Sequence, residues 1–183
     1  MKTALILIDI QNDYFPGGKG ELEKPLEAAR QVRRLLDFFR LQKWPTVHIQ
    51  HVANRPGATT FLPDTDGMKI HASVAPLAGE TVIVKHFPNS FRGTGLLEHL
   101  QGLHIERLVI CGMMTHMCVD ATTRAAADFG YPVLLAADAC ATRALTYEGA
   151  QVPAEHVHAA FLAALKSYGN VLKTEEILEQ LKG

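Results

Sequence analysis

Three residues combine side chains that do chemistry with positions that can bring them together. Asp9 stands at the end of the apolar run TALILIDI, Lys85 closes TVIVK, and Cys118 follows RLVIC inside GMMTHMCVDATTR. A thiol, a carboxylate and an ammonium are the parts of nucleophilic acyl transfer. Sulfur attacks a carbonyl, the carboxylate takes the thiol proton and returns it to a leaving group, and the ammonium holds negative charge. Cys118, one turn into a helix, would feel the positive end of the helix dipole, and a neighbouring Lys85 would favour thiolate further. The backbone amides around Met114 and Cys118 are placed to stabilise an oxyanion. Each residue also has an ordinary reading: aspartate caps a turn, lysine points to solvent, and buried cysteine is filler. Their coincidence carries the chemical reading, because residues just past the strand ends of an open parallel sheet gather in one crevice.

The elements that must position them alternate. Thr3–Ile10 is a nearly continuous apolar run, expected of a parallel strand covered on both faces. Pro25 suits the first turn of a helix, in which Ala29, Val32, Leu36 and Phe39 recur at helical spacing. Strands are predicted at Thr46–Gln50, Thr81–Lys85, Arg107–Cys111 and Pro132–Ala136, with a short sixth at Val171–Leu172. Helices are predicted at Gly95–Gln101, Thr115–Phe129, Pro153–Tyr168 and Glu175–Leu181. His51–Ala78 reads as a long loop, and loops of that length are often functional. The segment DACATRALTYEGA reads as turns. Strands alternating with helices mean an α/β fold, a parallel sheet with right-handed crossovers.

Composition limits the alternatives. At 183 residues the chain, 1–183, is expected to form one domain. A formal net charge of −1 offers nothing to nucleic acid or an anionic membrane, and no apolar run approaches the ~20 residues of a membrane span. Asp9 interrupts the N-terminal apolar run, which favours a first strand over a signal peptide. Three cysteines without a CxxC pair suggest neither a disulfide framework nor a structural zinc site, and point to a reducing cytoplasm.

The sequence resembles the isochorismatase-like cysteine hydrolases, the superfamily of nicotinamidases and N-carbamoyl amidohydrolases. LILIDIQNDYF, the lysine closing TVIVK, GMMTHMCVDATTRAAADFGY and the later DACATR carry the likeness in order, over nearly the whole chain. The resemblance implies a three-layer, Rossmann-like α/β/α fold with a six-stranded parallel sheet in order 3-2-1-4-5-6, usually in dimers or larger oligomers. It implies an Asp9–Lys85–Cys118 triad, a cis peptide at Met113–Met114, and an oxyanion hole from the Met114 and Cys118 amides. Gln11 and Asn12 would organise the turn at Asp9. Where nicotinamidases carry an Asp-x-His metal motif after strand two, this chain reads QHVAN, with His51 and Ala53 at those places. His48 and His51, three apart on a strand, face opposite ways, and His71 is left without partners. No metal and no cofactor are therefore expected, and nicotinamide is a poor candidate. Retention of Cys118 separates the chain from true isochorismatases, which generally lack that cysteine and cleave a vinyl ether without a covalent adduct.

The expected activity is hydrolysis of a C–N bond in a small amide or carbamoyl substrate through a thioester. The rivals are vinyl-ether hydrolysis, a non-catalytic binding or redox-sensing role, and, weakest, nucleotide binding, for which no glycine-rich loop follows strand one. Phe15, Phe87, Phe91 and His116 are the candidate substrate contacts. Asn89 and Ser90 either bond a polar substrate or shape a turn. Cys111 and Cys140 read as structural, and His156 and His158 as surface or interface residues.

Overall fold

The computed structural model describes every residue, Met1–Gly183. In chain order the strands are β1 (Thr3–Ile8), β2 (Thr46–His51), β3 (Thr81–Lys85), β4 (Arg107–Met113), β5 (Val133–Ala141), β6 (Leu145–Tyr147), β7 (Ala150–Val152) and β8 (Asn170–Leu172). The helices are α1 (Pro25–Gln42), α2 (Leu96–Gly102), α3 (Asp120–Asp128), α4 (Ala154–Leu165) and α5 (Thr174–Lys182). Six strands form one parallel sheet, ordered β3-β2-β1-β4-β5-β8. The expected order and three-layer fold are present, β8 being the sixth strand of that sheet.

The apolar run of β1 works because the sheet is covered on both sides. Leu5 and Leu7 enter one core layer with Val32, Leu35, Leu36 and Phe39 of α1 and Ile177 and Leu181 of α5. Ala4, Ile6 and Ile8 enter the other, with Leu96 and Leu100 of α2, Ala126 of α3 and Leu165 of α4. Successive residues of one strand thus serve opposite layers, as the period of two requires. No helix is long and apolar enough to cross a membrane.

Several boundaries differ from the sequence reading. β1 stops at Ile8, not Ile10, because Asp9 adopts a left-handed backbone, φ 50°, and turns the chain out of the sheet. β5 runs on to Ala141: the small residues of DACA lie against the end of β4, pairing Gly112 with Cys140 and Met113 with Ala141. The rest of that turn-rich segment forms the antiparallel hairpin β6–β7. Gly112 is demanded by packing, since its φ is +131° and a Cβ there would collide with the Ile8 carbonyl.

Candidate active site

Register sets the site. Ile8 lies beside both Ile49 and Gly112, and His51 lies beside Lys85, so four strand ends finish together. Asp9 follows at once, its N–H donating to the Ile49 carbonyl at 3.1 Å. The Gln11 side chain then clamps β2: its Oε1 accepts from His51 N–H and its Nε2 donates to His51 O, both at 2.8 Å, and to Met68 O at 2.7 Å. Asn12 reaches Asp66 instead, donating to its backbone and carboxylate oxygens.

Asp9 and Lys85 are wholly buried, with Lys85 Nζ 2.7 Å from Asp9 Oδ2. Lys85 and Cys118 are the two side chains that bear on the Asp9 carboxylate as hydrogen-bond partners. Lys85 also donates to Phe87 O (3.0 Å) and Pro88 O (3.2 Å), and its Nζ lies 3.2 Å from His51 Nδ1. Ligating atoms of Asp9, His51 and Cys118 all lie within 4.8 Å of one another. Burial alone would pull the Lys85 ammonium down, but Asp9 and Cys118 outweigh it and the net shift is upward, so the lysine is charged.

Cys118 departs from the thiolate expectation. It sits on a single π-helical turn, Thr115–Val119, that precedes α3, with Val119 N–H donating to Met114 O. Burial first, then Asp9, push its thiol well above the usual range, and the opposing pull of Lys85 is smaller. A dipole and one ammonium do not offset a nearly dry site that also holds a carboxylate. Cys118 rests as a thiol, and its proton needs an acceptor. The Met113–Met114 peptide bond is cis.

Cys118 and His51 open onto a cavity of about 290 Å³. Its wall includes Asn54, Arg55 and Thr59–Phe61 from the long loop, Phe87 and Pro88 after β3, Met114 and Met117, Tyr14 and Arg143, with no carboxylate among the lining residues. Asp13 shapes that wall: its carboxylate accepts from Phe61 N–H at 2.6 Å and Lys19 N–H at 3.3 Å, and Gly67 leaves it room. Burial, then Cys118 and Asp9, raise the Tyr14 phenol well above its usual value, so it is a neutral O–H in the cavity wall.

Of the four candidate substrate contacts, Phe87 lines the cavity, its ring covered by the Arg92 guanidinium 3.9 Å away. The other three are corrections. Phe15 stacks on His71 with ring centroids 3.7 Å apart. Phe91 packs against Phe129 in the core layer, and its neighbours Asn89 and Ser90 serve the turn, bonding Phe91 N–H and Thr122. His116 turns away from the cavity to Thr142 Oγ1 and the edge of Phe161. Aromatics near a motif are more often core than pocket. His158 is half-buried, and its Nδ1 lies 2.9 Å from Thr115 Oγ1, supporting the π-helical turn. His156 is exposed. Cys111 and Cys140 bond strand carbonyls.

Sequence reasoning missed His51, Tyr14, Arg55 and Arg143. His51 was weighed only as a metal ligand. Tyr14 stood inside a motif already assigned to Asp9, and the arginines lie on segments read as loop and turn. Asp9, His51 and Cys118 have the types and spacing of metal ligands, yet they fit a divalent cation poorly, because Lys85 Nζ already places a fixed positive charge among them.

The isochorismatase domain model matches residues 3–176. The chain belongs to the isochorismatase family. The isochorismatase family protein YddQ of Bacillus subtilis is 52% identical over 98% of this chain and all of its own length. An isochorismatase hydrolase from Oleispira antarctica superposes with a TM-score of 0.93 at 50% identity, covering 97% of this chain and 96% of that one. A streptothricin hydrolase of Streptomyces noursei is 36% identical over 76% of this chain and 49% of its own. Like other isochorismatase-family members, this chain is a hydrolase, and its three-layer fold is that of the solved isochorismatase structures.

Proposed function

We propose that this isochorismatase-family hydrolase cleaves a C–N bond of a small amide or carbamoyl compound by nucleophilic catalysis, without metal or cofactor. Cys118 is the nucleophile, Asp9 the proton carrier and Lys85 the fixed charge between them. The observation that carries this reading is a buried thiol, held protonated by its surroundings, within 4.8 Å of the buried Asp9 carboxylate. A thiol that cannot ionise alone is useful where a base can take its proton as the sulfur attacks. Asp9 accepts that proton, Cys118 Sγ bonds to the carbonyl carbon, and the C–N bond breaks as Asp9 returns the proton to the departing nitrogen. Water then attacks the thioester, giving its proton to Asp9 and releasing the acid and the thiol. The amides of Met114 and Cys118 are assigned to the carbonyl oxygen as charge develops there. Lys85 keeps one positive charge in the site throughout, so the thiolate character that develops on Cys118 is never alone in a low-dielectric crevice.

The cavity supports a small substrate that is neutral or anionic. Arg55 and Arg143 are in its wall, no carboxylate faces it, and Tyr14 and Phe87 provide ring surface. A streptothricin hydrolase among the relatives favours hydrolysis through this fold. The test is intact-mass spectrometry during turnover of a panel of small amides and carbamoyl compounds scored by ammonia or amine release. A transient acyl adduct on Cys118, absent from Cys118→Ala, is expected. Turnover by Cys118→Ala would eliminate the covalent route, and pyruvate released from isochorismate by that variant would establish vinyl-ether hydrolysis instead.

A further inference from the structure

An ammonium has three N–H bonds to give, and around Lys85 Nζ they have more than three acceptors. Phe87 O, Pro88 O and His51 Nδ1 lie at 3.0, 3.2 and 3.2 Å. Asp9 Oδ2 is nearer still, at 2.7 Å, so four acceptors crowd three N–H bonds. The two carbonyls belong to the backbone after β3 and cannot be withdrawn. His51, from β2, competes with Asp9 for a lysine proton, and unlike the Cys118 sulfur it takes no part in bond-making. Its position is fixed, since Gln11 holds both its N–H and its C=O, and its ring lies 5.6 Å from that of Phe61. Nδ1 can serve only as an acceptor beside an ammonium, which requires a neutral ring. Burial, with Lys85 adding to it against the opposing pull of Asp9, lowers the His51 pKa to about 4.

We propose that His51 is a positioning residue that draws one Lys85 N–H away from Asp9 and so leaves the carboxylate free to receive the Cys118 proton. This rests on the reading of Asp9 as the proton acceptor. The groups facing Asp9 are Lys85 from β3, His51 from β2, Cys118 from the π-helical turn and the Tyr14 phenol, with Arg143 beyond Tyr14. None of the others can take over the part, because Tyr14 and Cys118 bring protons of their own and Arg143 has no acceptor. Without the imidazole, a Lys85 N–H turns onto Asp9, occupies a lone pair, and strengthens the ion pair at the expense of proton transfer.

Replacement of His51 by leucine removes the acceptor, and His51→Gln restores one at similar reach through its amide oxygen. His51→Phe keeps a ring against Phe61 and serves if the leucine variant does not fold. The first readout needs no substrate: the rate of Cys118 alkylation by iodoacetamide against pH. His51→Leu and His51→Phe are expected to slow it roughly tenfold across the neutral pH range, with His51→Gln close to the parent. With an amide substrate the same variants are expected to lose kcat and keep KM. Alkylation unchanged in the leucine and phenylalanine variants, or equally slow in the glutamine variant, would overturn the inference. The expected alkylation pattern in a protein that hydrolyses no amide would uphold the role of His51 and remove the amidohydrolase reading. Amide hydrolysis through a Cys118 adduct with unaltered alkylation would do the reverse.

Discussion

At the scale of single residues, the site is a balance of buried charges in which no member is neutral to the others. Asp9 and Lys85 are each wholly buried, so each depends on its partner to be there. Asp9→Asn strands an ammonium inside the protein and is expected to cost about 3–5 kcal/mol in denaturant unfolding as well as activity. Cys118→Ala removes a neutral thiol and leaves the pair intact, so activity disappears while the denaturation midpoint moves far less. Equal destabilisation by the two variants would show that the ion pair does not carry the load assigned to it. The same balance explains why Cys118 could not be read as a thiolate from its neighbours in sequence. The helix start and the lysine were visible, but the near-complete loss of water around the sulfur belongs to packing.

At the scale of elements, two carboxylates outside the chemistry join separate parts of the chain, and one of them holds a wall of the site. Asp13 ties the loop at Phe61 to the segment after β1. Asp13→Ala leaves the buried Phe61 N–H unsatisfied, costing about 1–3 kcal/mol. It is expected to raise KM several-fold with a smaller change in kcat, because the loop lines the cavity and does no bond-making. Glu80 joins α1 to β2, accepting from Arg40 at 2.7 and 2.8 Å and lying 3.0 Å from His48 Nε2. Hydrogen bonds from Arg40, outweighing partial burial and helped by the Leu77 N–H and His48, lower its pKa from 4.5 to about 2. A depressed carboxylate contributes stability that is present above its unfolded value and is lost as pH falls through the folded one. Stability should therefore drop between pH 4.5 and 2, and Glu80→Gln should weaken that dependence while lowering stability at neutral pH. An unchanged acid profile in the variant would place the acid sensitivity elsewhere.

At the scale of the molecule, a formal net charge of −1 hides a local asymmetry. The cavity presents Arg55 and Arg143 and no carboxylate, and both arginines are exposed to solvent. Exposed charges are screened within about 8 Å at physiological ionic strength. For an anionic substrate, kcat/KM is expected to fall with added salt, and Arg143→Gln is expected to lower it several-fold and flatten the salt dependence. A neutral substrate of the same size should respond to neither change. The fold that supports this asymmetry depends on close approach at its centre, where Gly112 has no room for a side chain against Ile8.

The sequence by itself determined the alternation of strands and helices, because apolar runs and helical spacing are local signals of burial, while the strand order was implied by the family resemblance. Asp9, Lys85 and Cys118 were legible since each stands beside such a run, and the structure brings them together. Only the tertiary structure decided which neighbours join them. His51 and Arg55 at and after the end of β2, Tyr14 after β1 and Arg143 after β5 come from three separate segments and meet through strand register and loop packing, neither of which leaves a periodic trace. Phe15, Phe91 and His116 point the other way for the same reason: proximity in sequence to a motif does not fix the face on which a side chain lies. The protonation state of the sulfur was decided last and least locally, by how much water the assembled layers exclude.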